Sequence, residues 1–103
     1  MTRKIHLNDA AMRLPISNSR TVVLLDRLGK EQTYGREECA RNIYLLDDTL
    51  QIIWQVRSKF DADGGPFTNI VYEKQNLRGY RWDGGKYDID LDTGEARPLS
   101  LTK

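Results

Sequence analysis

The segment GYRWDGGKYDIDLDTGEA, residues 79–96, sets carboxylates at alternate positions, Asp88, Asp90 and Asp92, with Asp83 before them and Glu95 after. Alternate residues of an extended strand share a face and stand about 6 to 7 Å apart. The three aspartates therefore read as a ladder, with Tyr87, Ile89 and Leu91 on the opposite face. Such a ladder can supply oxygen to a cation, an acid and a base, or a charged surface for a partner. One extended strand does not wrap an ion, and Leu99 stands at the twelfth position from Asp88, where a calcium loop carries its bidentate glutamate. Asp61 and Asp63 in DADGG have the opening spacing of a calcium loop, but the third acidic ligand is missing and the twelfth position is Tyr72. That segment reads as a Gly-Pro loop with Asx turns.

His6 is the single histidine and Cys39 the single cysteine. A zinc site would be short of ligands, and a Cys-His nucleophile would need two distant segments to converge. Cys39 reads as a small buried hydrophobe. No metal, cofactor or catalytic set is expected, and the chain is read as non-enzymatic; a small metal-dependent enzyme built on the Asp ladder is the alternative. Arg78, Tyr80, Arg81, Trp82 and Lys86 form a basic and aromatic mixture of the kind that stacks bases. The facing aspartates neutralise it, so nucleic acid is not an expected partner, and Tyr80 and Trp82 are expected to face the core.

Hairpins must position these residues. Gly84 and Gly85 suit a two-residue turn whose central positions both need positive φ. That turn would set Asp83 beside Lys86, Arg81 beside Asp88, Tyr80 beside Ile89 and Trp82 beside Tyr87. Before it, FTNIVYEKQ reads as a strand with a turn at Gln75 and Asn76, which places Glu73 by Arg78 and Tyr72 over Gly79. NIYLLDDTLQIIWQVR reads as a hairpin looping at Asp48 and Thr49, with Leu45 facing Ile52, Ile43 facing Trp54, and Trp54 buried. FDADGGPF is the longest internal loop.

Toward the amino terminus, KIHLN suggests a short strand and NDAAMRL one or two helical turns ending at Pro15. ISNSR reads as a loop. Val22 to Leu25 suggest a strand, with a turn near Gly29 and a weaker strand ending at Gly35. REECARN has helix formers and no β-branched residue, so a short helix is expected there. At the other end Pro98 marks the final strand as an edge, because proline cannot donate to a ladder. The fold expected is α+β and mainly β: one antiparallel meander sheet of about 6 to 8 strands with one or two short helices, all in a single domain, 1–103.

With 103 residues, 39% hydrophobic and 30% charged, the chain suits one modest core. Sixteen basic residues balance 15 acidic ones, so any electrostatic partner must be met by a local patch. The amino terminus lacks the apolar run of a signal peptide, no stretch approaches the length of a membrane span, and one cysteine excludes an internal disulfide. A cytoplasmic protein without membrane contact is expected.

NIYLLDDTLQIIWQV and KYDIDLDTGEA resemble parts of the blades of quinoprotein-type β-propellers, where a strand ending in Leu-Asp, a Thr-Gly turn and a Trp-bearing strand recur. Leu46-Asp47 and Leu91-Asp92 lie 45 residues apart, near a blade period. The resemblance covers residues 42–96 and implies antiparallel sheet. Since 103 residues supply two blades, a closed ring would require a homo-oligomer. In size and composition the chain is also similar to the small bacterial immunity proteins that neutralise a cognate toxin. The functional expectation is a protein-binding module that covers the basic cleft of such a toxin, using Arg78, Arg81, Asp83, Asp88, Asp90, Asp92 and Glu95.

Overall fold

The structure, a computed structural model, describes residues 7–59, 61 and 65–100. Among the described residues eight strands, within the expected number, form two sheets of four, not one. The first is an antiparallel meander of β1 (Ala10–Ser17), β2 (Arg20–Leu25), β3 (Ile43–Asp47) and β4 (Ile52–Gln55). The second repeats the pattern with β5 (Phe67–Glu73), β6 (Asn76–Arg81), β7 (Lys86–Ile89) and β8 (Ala96–Ser100).

Side-chain patterning explains the division. Val22 to Leu25 and Ile43 to Leu46 are buried at every position, so β2 and β3 need cover on both faces. The second sheet covers one of them. Val22, Leu24, Ile43, Leu45, Trp54 and Val56 pack there against Phe67, Ile70, Leu77, Tyr87, Ile89 and Ala96. On the other face Val23, Leu25, Tyr44 and Leu46 form a smaller cluster, against which Leu7, Ala10 and Ile52 pack. In β6 and β7 burial alternates along the strand, so the second sheet has one face inside and one outside.

Polar ties hold the two sheets together. The side chain of buried Asn42 donates to the Leu25 carbonyl (2.7 Å) and the Phe67 carbonyl (2.8 Å), and its oxygen accepts from the Phe67 amide (2.9 Å). Trp54, buried as expected, donates from Nε1 to the Leu91 carbonyl at 2.8 Å. Just beyond β4, the Arg57 amide donates to the Gly94 carbonyl (3.0 Å), while the Ala96 amide donates to the Arg57 carbonyl (2.7 Å). This short parallel bridge closes one seam of the sandwich.

Several local expectations are corrected. Met12, Leu14 and Ile16 alternate with exposed neighbours, so residues 10–17 form edge strand β1 in place of a helix followed by a loop, and Pro15 is tolerated at that edge. Residues 31–34 form a short helix, α1 (Glu31–Tyr34), where a weak strand was expected; no strand among the described residues pairs with them. The expected helix in REECARN is α2 (Arg36–Ala40). KIHLN lies mostly outside the described residues, and Leu7–Asp9 are a 3-10 turn. The Asp47 carboxylate accepts from the amides of Thr49 (2.9 Å) and Gln51 (3.0 Å), and Leu50 takes φ 68°. The β3–β4 loop therefore holds three residues, 48–50, which sets Leu46 opposite Ile52, and a register shift at the next pair then sets Leu45 opposite Trp54 and not Ile52.

Between β5 and β6 the turn sits at Lys74 and Gln75, whose φ values of 51° and 65° are both positive. That is one residue earlier than expected, so Arg78 faces Val71, and Gly79 faces Ile70. The β6–β7 register differs most. Leu77 faces Ile89, Arg78 faces Asp88, Gly79 faces Tyr87 and Tyr80 faces Lys86. The Asp83 carboxylate accepts from the Gly85 amide at 3.0 Å, and the Arg81 amide donates to the Gly85 carbonyl at 2.8 Å, so the turn is wider than Gly84-Gly85 alone. Gly79 faces inward, where an added Cβ would lie 2.9 Å from Phe67 Cδ1 and 3.1 Å from Ile43 Cδ1.

Candidate functional site

The outer face of the second sheet carries two cross-strand rows. Val71, Arg78, Asp88 and Arg97 lie opposite one another in one row; Asn69, Tyr80 and Lys86 lie in the next. Asp88 is thus flanked by Arg78 and Arg97, and Arg81 is not its partner. The Lys86 ammonium stands 5.9 Å from the Tyr80 ring centre. Tyr80 is half-buried on this outer face, contrary to the expected inward orientation. Trp82, also expected inside, is 59% exposed in the β6–β7 turn, and Leu99 is 52% exposed on edge strand β8.

The remaining carboxylates do not form a ladder, because β7 ends at Ile89. Asp90 organises the next turn: its Oδ1 accepts from the amides of Asp92 (2.8 Å) and Thr93 (3.3 Å). Gly94, at φ 81°, completes that turn against the Trp54 ring, where a Cβ would approach to 2.7 Å. Asp92 is exposed, and Glu95 lies 3.6 Å from Arg97 Nε. Of the seven residues singled out by sequence, Arg78 and Asp88 share the outer face, while Asp83, Asp90, Asp92 and Glu95 belong to turns or their flanks.

Arg81 is buried in the core at 2% exposure. Its guanidinium lies 4.2 Å from the Phe67 ring centre and 4.7 Å from that of Tyr87. Nη1 donates to the Ala40 carbonyl (3.1 Å) and the Gly65 carbonyl; Nη2 donates to Ser58 Oγ (3.1 Å) and Asp61 Oδ1 (2.9 Å). Asp61 also accepts from Arg41 Nε at 2.6 Å, and that hydrogen bond, more than any other effect, raises the Arg41 pKa. The residue that suggested a calcium loop is thus a buried anion between two arginines. Asp63 and His6 lie outside the described residues.

Glu38 of α2 accepts from the Tyr44 hydroxyl and from Gln55 Nε2 (2.9 Å), fixing the helix to the first sheet. Next to it Cys39 is fully buried, as expected, and burial pushes its thiol pKa up. Among the described residues no group of three or more His, Cys, Asp or Glu side chains is placed to hold a metal ion. No described helix is long and apolar enough to cross a membrane.

A cleft of about 560 Å³ opens at the seam between the sheets, lined by Arg41, Arg57, Lys59 and Arg97, with Glu95 as the one carboxylate among the described lining residues and Pro98 on its wall. Sequence reasoning missed these cations because they come from three segments that only the fold brings together. The signal present was RSK at 57–59, directly after an apolar strand.

No curated protein and no solved structure matches the chain. The family model described as Domain of unknown function (DUF7957) matches residues 2–100, and the chain belongs to that family.

Proposed function

We propose that this chain is a non-catalytic, cytoplasmic protein-binding module that docks a partner on the outer face of its second sheet. The observation that carries this reading is an asymmetry. Two clusters bury β2 and β3 on both sides, whereas no described element packs over the outer face of β5 to β8, and Trp82 projects at its end. An exposed tryptophan and a half-buried tyrosine beside alternating charge suit a contact surface.

The fold changes the electrostatic form of the proposal. A decoy for a basic toxin cleft needs carboxylates without cations beside them, yet Asp88 is the cross-strand neighbour of Arg78 and Arg97, though it forms no ion pair with either, and Asp90 is engaged in its turn. The partner proposed is a protein with a complementary row, a cation opposite Asp88 flanked by two acidic groups, and an apolar recess for Trp82. A toxin of that surface pattern falls within this class.

A photo-crosslinking residue placed at Tyr80 or Trp82 in the source cell tests the reading. It should give a protein adduct that is lost on Asp88→Lys, whereas the probe at exposed Arg20 should give none. Adducts only from Arg20, or adducts indifferent to Asp88→Lys, would overturn it. An adduct with a second copy of the chain would instead favour self-assembly.

A further inference from the structure

We infer that the cleft at the seam between the sheets, which shares Arg97 with the outer face, binds a small ligand bearing a phosphate group. Three chain segments converge there: Arg41 after α2, Arg57 and Lys59 beyond β4, and Arg97 on β8. Among the described residues they meet one lining carboxylate, Glu95, which is already 3.6 Å from Arg97 Nε. Buried Asp61 and exposed Glu37 offset Arg41 through contacts of 2.6 and 3.2 Å. Among the described residues Arg57 and Lys59 have no carboxylate partner, and both are exposed.

Geometry favours phosphate over a single carboxylate. A monoanionic carboxylate is satisfied by one guanidinium fork, whereas a multiply charged phosphate offers oxygens in several directions. The cations also sit on a rigid frame. Both backbone hydrogen-bonding groups of Arg57 are tied to the second sheet, at 3.0 and 2.7 Å, and Arg41 is held from behind by Asp61. The frame is therefore organised before a ligand arrives, which lowers the entropy lost on binding. The volume, about 560 Å³, is that of a small-molecule site, and Ala96 with Pro98 offers an apolar wall for the rest of the ligand.

The test titrates the full chain with inorganic phosphate and pyrophosphate at constant ionic strength, followed by amide nitrogen-proton NMR, with acetate and chloride as controls. Saturable shifts are expected at residues 57–59 and 95–97, with pyrophosphate tighter than phosphate and acetate without effect. Arg57→Gln combined with Lys59→Gln should weaken pyrophosphate by at least about tenfold while the rest of the spectrum is retained. Arg78→Gln on the outer face should change nothing. Shifts that do not saturate, that scatter over all surface cations, or that persist with unchanged affinity in the double variant would overturn the inference.

Discussion

Replacing Arg81 with alanine tests whether a buried cation holds the sandwich together. The substitution leaves Asp61, whose side chain is 5% exposed, with Arg41 as its one ion-pair partner among the described residues, beside hydrogen bonds from the Ser58 amide (3.0 Å) and hydroxyl (3.0 Å). It also frees the carbonyls of Ala40 and Gly65 and removes the cation stacked between Phe67 and Tyr87. Breaking a buried ion pair from one side costs about 3 to 5 kcal/mol. The Nε of Arg81 has no partner among the described residues, so the site is not ideal, and the middle of that range is the expected value. On a domain worth about 5 to 15 kcal/mol this leaves a marginal fold, with Tm lowered by more than about 12 °C. Urea unfolding followed by tryptophan fluorescence measures it. Arg81→Lys, which keeps the charge but not the planar fork, should still lose about 1 to 3 kcal/mol. Asp61→Asn combined with Arg81→Met should cost less than the sum of the single changes, because each single change strands the other group. A loss below about 1 kcal/mol for Arg81→Ala, or strict additivity in the pair, would refute the reasoning.

The two tryptophans should behave oppositely. Trp54→Ala is expected to cost about 3 to 5 kcal/mol in urea unfolding and Trp82→Ala less than about 1, while acrylamide should quench Trp82 and spare Trp54. Asp90→Ala should cost about 1 kcal/mol through loss of its turn contacts, and Asp92→Lys no more than about 0.5, both read as shifts in thermal midpoint. Cys39 should react with iodoacetamide far more slowly in the native chain than in urea, because burial blocks access and keeps the thiol protonated. The same upward pKa shift means that its contribution to stability is fully present below the unfolded thiol's pKa, about 8.5, and is lost as pH rises through the native value. Denaturant midpoints for wild type and Cys39→Ser between neutral and alkaline pH should therefore converge as the pH rises.

Strands β2 to β8 were legible because β-branched and aromatic runs separated by turn residues leave few other readings, and Pro98 marked an edge correctly, whereas β1 was read as a helix and a loop. The number of sheets was legible only in retrospect. Continuous apolar runs at 22–25 and 43–46 require cover on both faces, whereas alternation in β6 and β7 requires it on one. Hairpin registers failed for a different reason. The loops depend on carboxylate contacts and on positive φ at Leu50, Lys74 and Gln75, residue types that announce no such conformation. A Gly-Gly pair did announce one, and the turn nevertheless widened around Asp83.

Register decides the site as much as the fold. The expected pairs between β6 and β7 have residue numbers summing to 169; the observed pairs sum to 166, and that odd difference of three reverses which β6 residues share a face with a given residue of β7. Asp88 consequently meets Arg78, and Arg81 moves from the wet face to the centre of the protein. Charge pairing could not separate the two registers, because arginine stands at both 78 and 81 and each gives Asp88 an opposite charge. The deciding contact lies outside the hairpin: Asp61, 20 residues upstream, supplies the buried carboxylate that makes an inward Arg81 tolerable. Long-range pairing of this kind leaves no periodic trace, and the cationic cleft shares that property, since Arg41, Arg57 and Arg97 become neighbours only when the two sheets close. Core ion pairing thus sets the placement of Arg41 and Arg81, so an Asp61→Asn variant that still folds should disturb the proposed phosphate binding through Arg41 before it disturbs the proposed docking on the outer face.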